Sequence, residues 1–149
     1  MLSPTTVEYL RRGTFLAGLT APDLDSAIEQ MLKALANNPE VIDLAAMREA
    51  VFERQRVNPP LLSNGIAFPH ARTNSVRSLV LVVATLAEPI LVGEISLHLL
   101  FLIGVPKAGI SEYLELTSFL ARHLRAAGSL DRLSRAANLS QLIEAFSAS

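Results

Sequence analysis

Apolar residues along this chain change their spacing twice, from helical to strand-like and back again. In the first third, Leu24, Ile28, Met31 and Leu35 form one stripe, with Glu29, Gln30 and Lys33 outside it, which predicts an amphipathic helix. Thr20 reads as its N-cap, with Pro22 in the first turn and Asp23 at the capping-box position. Asn37-Asn38-Pro39 stops it. A second helix is predicted from Asp43 as N-cap, through Met47, Val51 and Phe52, to about Arg56. Its last turn holds Arg54 and Arg56, where cations suit the helix dipole.

In the middle, SLVLVVATL (78–86) and SLHLLFLIGV (96–105) are apolar nearly throughout. Runs without alternation predict strands covered on both faces. Between them, Glu88-Pro89 and Gly93-Glu94 read as turns. Helical spacing returns at Tyr113, Leu116, Leu120 and Leu124, and two shorter helices are expected over 130–137 and 140–146. A short strand fits 14–19, whereas the first dozen residues give no clear pattern. Helices, then doubly covered strands, then helices predict an α/β chain folded as a three-layer α/β/α sandwich. With no repeat, linker or low-complexity tract, residues 1–149 read as a single domain.

Composition narrows the function more than the fold. Thirteen basic and 14 acidic residues leave a formal charge of -1, so nothing favours long-range attraction to nucleic acid or an anionic membrane. The absence of cysteine removes disulfides, thiolate metal sites and cysteine nucleophiles. The N-terminal MLSPTTVEYLRRG lacks a continuous apolar segment, and the runs 79–87 and 97–105 are too short to span a bilayer, so a cytoplasmic protein without direct membrane insertion is expected.

Neither glycine-rich phosphate loop nor G-x-S-x-G elbow occurs, and His70, His98 and His123 lack metal-ligand spacing, so no cofactor or metal is expected. What remains is NGIAFPHARTN (64–74). Pro69 fixes its own φ and biases Phe68 towards extended backbone, while Gly65 permits positive φ. His70 is therefore expected just off a strand end, where working residues often sit. Two readings are open: an ordinary loop histidine, or a nucleophile whose neutral ring nitrogen attacks a phosphoryl group. In the second, Arg54 and Arg72 are candidates to meet the incoming negative charge. His98 reads as a hydrogen-bonded structural residue in mid-strand, and His123 as a solvated position on a leucine-packed helix. Arg72 and Arg77 read equally as a solvated rim, and Glu112 and Glu115 as exposed helix residues.

The run GIAFPHAR, preceded by Glu53-Arg54, resembles the active-site segment of type 2 (fructose/mannitol) enzyme IIA domains of the bacterial phosphotransferase system (PTS). That family includes the nitrogen-regulatory IIA proteins. Its A-[apolar]-P-H signature is matched by Ala67-Phe68-Pro69-His70, and EPILVGEISLHLLFLIGVP and SEYLELTSFLARHLR fall in the family's order. The resemblance implies a mixed sheet, His70 as the phosphorylated residue and Arg54 as the active-site arginine. It also implies a phosphodonor partner, HPr or its nitrogen-branch counterpart. A IIB domain or a regulatory target protein would act downstream. The family's second histidine, at the start of the long C-terminal helix, is replaced here by Tyr113. A phenol donates a hydrogen bond but carries no positive charge. His123 lies ten residues further along, roughly 15 Å of helical rise, too far to stand in. The expectation is a phosphohistidine carrier, with transferase character, in a regulatory role, since no IIB or IIC segment is attached. The alternatives are a non-catalytic binding module of the same fold, or a IIA component of a fructose/mannitol-type permease with separate IIB and IIC chains.

Overall fold

The computed structural model describes residues 4–57, 61–62, 65–124 and 128–147. In chain order these form α1 (Pro4–Arg12), β1 (Thr14–Leu19), α2 (Leu24–Lys33), α3 (Leu44–Val57), β2 (Leu61–Leu62), β3 (Ile66–Ala67) and β4 (His70–Arg72). Then follow β5 (Val80–Val92), β6 (Ile95–Val105), α4 (Ile110–Leu124), α5 (Ser129–Ser134) and α6 (Leu139–Ser147). The strands make one six-stranded sheet in the order β1-β5-β6-β3-β2, with β4 also on β6. β5 and β6 are antiparallel, whereas β1 runs parallel to β5 and β3 and β4 run parallel to β6. The sheet is mixed, as the resemblance implied.

The continuous apolar runs of β5 and β6 have the expected cause. Alternate residues enter two separate cores: Leu99, Phe101 and Ile103 pack with α4 and α6, while Leu100 and Leu102 pack with α2 and α3. Both faces are covered, giving the three layers read from the sequence. Each fully buried Leu, Ile or Phe stabilises the fold by about 1.5–3 kcal/mol. Gly104 lets α3 come close to the sheet: a Cβ there would lie 2.8 Å from Met47 Cε and from Val80 Cγ2. That close approach fixes the helix whose last turn carries Arg54.

Several expectations need correction. The first dozen residues, unassigned from pattern, include helix α1, with Leu10 fully buried beneath it. The N-cap of α2 is Asp23, not Thr20: the Asp23 carboxylate accepts from Ser26 N at 2.8 Å, while Thr20 O accepts from Gln30 Nε2. Asp43 caps α3 as expected, accepting from Ala46 N at 3.1 Å. Glu88-Pro89 is no turn. β5 runs through it, and a register shift between Thr85 and Ile90 absorbs the proline, which cannot donate to a ladder. His70 does not follow a strand end but opens β4.

Candidate active site

Pro69 explains where His70 lies. The pairs Ile66–Leu99 and Ala67–Leu100 of β3, and His70–Ile103 to Arg72–Val105 of β4, keep one register along β6. Having no N–H, Pro69 interrupts that line, yet its carbonyl still accepts from Ile103 N at 3.0 Å. The two short strands are one extended path with a proline break. Ile66 and Phe68 enter the core on the α4 side, and alternation sends His70 the same way. The path starts at Gly65, whose φ is +85 and whose added Cβ would lie 2.8 Å from Ser96 O. Only glycine fits that turn.

His70 is half-buried, and its Nδ1 lies 2.8 Å from the carbonyl oxygen of Phe68. A carbonyl only accepts, so Nδ1 carries the hydrogen and Nε2 keeps its lone pair. On the other side, the Tyr113 ring of α4 packs at 5.2 Å between centroids, tilted by 33°. The third member comes from the opposite layer, where α3 packs against β4 and carries Arg54 to the sheet edge. Burial holds the His70 pKa below its ordinary value, the Phe68 bond opposes this, and the Arg54 charge lowers it further. Burial raises the Tyr113 hydroxyl pKa, partly offset by the same arginine. Near neutral pH the arrangement is a neutral imidazole and a neutral phenol in the field of one guanidinium.

The three residues singled out from sequence, His70, Arg54 and Tyr113, are thus brought together. Of the two arginine candidates, Arg54 is the one whose charge acts on His70. Arg72 is exposed and its Nη2 donates to Lys107 O at 3.1 Å, which ties down the loop before α4. His98 is half-buried on β6, with Cδ2 3.1 Å from where a Gly65 Cβ would sit, so it backs the turn at Gly65. His123 is not simply solvated: its ring stacks on Phe119 at 4.1 Å and meets Phe146 edge-on at 6.5 Å. Sequence reasoning missed the orienting Phe68 carbonyl, because a main-chain acceptor leaves no residue type to read. It also missed an apolar rim on α4, where Ile110 and Leu114 are 41% and 55% exposed on either side of Tyr113. Among the described residues, no group of three or more His, Asp or Glu side chains is placed to hold a metal ion, and no helix is long and apolar enough to cross a membrane.

The chain is similar in sequence and fold to known proteins. A nitrogen regulatory protein of Pseudomonas aeruginosa is 28% identical over 129 residues, covering 85% of this chain and 84% of that protein. The crystal structure of the nitrogen regulatory protein IIA-Ntr from Neisseria meningitidis superposes with a TM-score of 0.82 at 20% identity, over 94% of this chain and 97% of that one. The IIA mannitol chain of an Escherichia coli complex with phosphorylated IIB mannitol superposes with a TM-score of 0.76 at 16% identity, over 100% and 99% of the two chains. Residues 8–149 match the family described as phosphoenolpyruvate-dependent sugar phosphotransferase system, EIIA 2, and the chain belongs to that family.

Proposed function

We propose that this protein is a phosphohistidine carrier in which His70 Nε2 accepts a phosphoryl group from a donor protein's phosphohistidine. The observation that carries this reading is the 2.8 Å contact of His70 Nδ1 with Phe68 O, which commits one ring nitrogen and leaves the other nucleophilic. In the transfer, the donor's N–P bond breaks, its electron pair returns to the donor ring, and an Nε2–P bond forms on His70. The Nδ1 hydrogen stays in place, so the positive charge of the phosphorylated ring is shared with the Phe68 carbonyl. Arg54 meets the negative charge spread over the phosphoryl oxygens, the main electrostatic demand of such a transition state. Tyr113, its hydroxyl kept protonated by burial, supplies a neutral donor to one of those oxygens.

The donor we expect is HPr or its nitrogen-branch counterpart, in the cytoplasm, with residues 1–149 acting as one IIA domain. Similarity to nitrogen regulatory proteins supports a regulatory role, in which the phosphoryl charge changes which partner fits the face around His70. A second reading is favoured by the exposed Ile110 and Leu114: a docking module that binds its target without phosphorylation. A third, a permease component passing phosphate to a separate IIB chain, is supported by the fold likeness to IIA mannitol. One experiment orders them. The protein is incubated with phosphoenolpyruvate, enzyme I and HPr, or with the nitrogen-branch donors, and its mass is followed. An acid-labile, base-stable phosphoryl group that His70→Ala abolishes is expected, and the donor that supplies it identifies the branch. No labelling by either set would sink the carrier reading in favour of the docking module.

A further inference from the structure

Away from His70, two cavities of about 250 Å³ each adjoin where α1 meets the start of β5 and the end of β6. They share Tyr9, Ser78 and Leu79. In the one nearer α4, the charged lining is a single cation, Arg77, and a single anion, Glu112, with Leu79 and Pro106 as apolar wall. Among the described residues neither enters an ion pair, although both line the same small space. Glu112 faces Tyr9, since its charge raises the Tyr9 hydroxyl pKa, second to burial. Opposite charges that line one cavity without closing on each other stand more than about 4 Å apart, the reach of a salt bridge. That spacing leaves room for a ligand carrying both complementary charges. A space of about 150 Å³ already holds benzene, so this one suits a molecule slightly larger, well short of a drug-sized ligand.

We propose that this cavity binds a free α-amino acid, with its carboxylate on the Arg77 fork, its ammonium on Glu112, and its side chain against Tyr9 and Leu79. Arg77 offers the two parallel donors that a carboxylate accepts, and Glu112 offers the acceptor an ammonium needs. The site is independent of phosphoryl transfer, but its wall is not remote from His70. Gly109 and Glu112 lead into and open α4, which carries Tyr113, so an occupied cavity bears on the helix beside the histidine.

The test is binding alone, so it stands whether or not His70 is phosphorylated. The full chain, isotopically labelled, is titrated with each of the standard α-amino acids while the amide resonances of Leu79, Gly109 and Glu112 are followed. At least one amino acid is expected to shift these resonances saturably. Its decarboxylated amine and its deaminated acid, each lacking one charge, are expected to leave them in place. Arg77→Gln and Glu112→Gln, both at exposed positions that leave the fold intact, should each weaken binding roughly tenfold or more. If no amino acid shifts these resonances, the proposal fails. It also fails if the amine or the acid binds as well as the amino acid, or if the two variants bind unchanged.

Discussion

His70 and His123 make a controlled pair within one molecule. Both are half-buried, both lie beside an aromatic ring, and burial lowers the pKa of both. Their neighbours differ in kind. His123 packs among Phe119 and Phe146 at the last turn of α4, and the charge of Arg122 on the same helix also lowers its pKa. His70 meets a carbonyl that fixes its hydrogen, a phenol, and the charge of an arginine from another layer. Burial and a lowered pKa are therefore common to a histidine packed among aromatic rings and to the one proposed to carry the phosphoryl group. What sets His70 apart is where its partners come from: a main-chain carbonyl on its own strand path, a phenol on α4 and the charge of an arginine on α3.

The sharpest way to break the comparison is to delete each ring. His70→Ala should abolish phosphoryl labelling, whereas His123→Ala should keep it; each removes an aromatic contact and should lower stability by about 0.5–1.5 kcal/mol, as read by denaturant titration. Next, Arg54→Gln should slow labelling by roughly 10²–10³-fold, the usual cost of removing one preorganised charge-stabilising group. It should also raise the His70 midpoint in an NMR pH titration, because a nearby like charge is gone. A rate loss without that rise would place Arg54 on the donor's docking face instead of at the ring. Tyr113→Phe keeps the ring contact and removes the hydroxyl. A roughly tenfold to hundredfold slower transfer is expected, the range for a hydrogen bond to a charged group, and an unchanged rate would reduce Tyr113 to packing.

The smallest effect concerns stability against pH. The folded pKa of His70 lies below the ordinary value, so between the two the unfolded chain binds more protons. Stability should fall as pH drops through that window, and above the ordinary histidine value this contribution is constant. Because Arg54→Gln raises the folded pKa, it should narrow the window, which urea titrations on either side of pH 6 can detect.

How much of this was legible beforehand follows physical lines. β1 at 14–19, the Asp43 cap and the leucine stripe of α4 follow from local periodicity and capping, and they stand as read. Of the misreadings, the cap of α2 is local and the others turn on tertiary structure. Thr20 looked like a cap, yet Asp23 sits one residue before the first helical turn, and the acceptor nearest Ser26 N wins. Glu88-Pro89 looked like a turn, but β5 runs on through it, and Pro89 falls in the stretch between Thr85 and Ile90 where β5 and β6 are not paired. His123 looked solvated because Phe146, its second aromatic neighbour, arrives from a helix over twenty residues on. At the site, residue types were readable and directions were not. The A-F-P-H string named the histidine and the resemblance named Arg54 over Arg72, whereas the way α3 docks on β4 to bring the Arg54 charge to bear on His70 was not readable.

The acceptor that orients His70 is part of the main chain, two residues back along its own path. A side-chain acceptor could be lost to a single codon change, but every amino acid at position 68 brings the same oxygen. The nitrogen proposed to accept the phosphoryl group is thereby independent of the side chain at position 68, and the ring's hydrogen is assigned by the course of the backbone. What the protein must conserve instead is the bend that keeps that oxygen in reach. The burden passes to Pro69 and to Gly65, neither of which touches a phosphoryl group in this scheme.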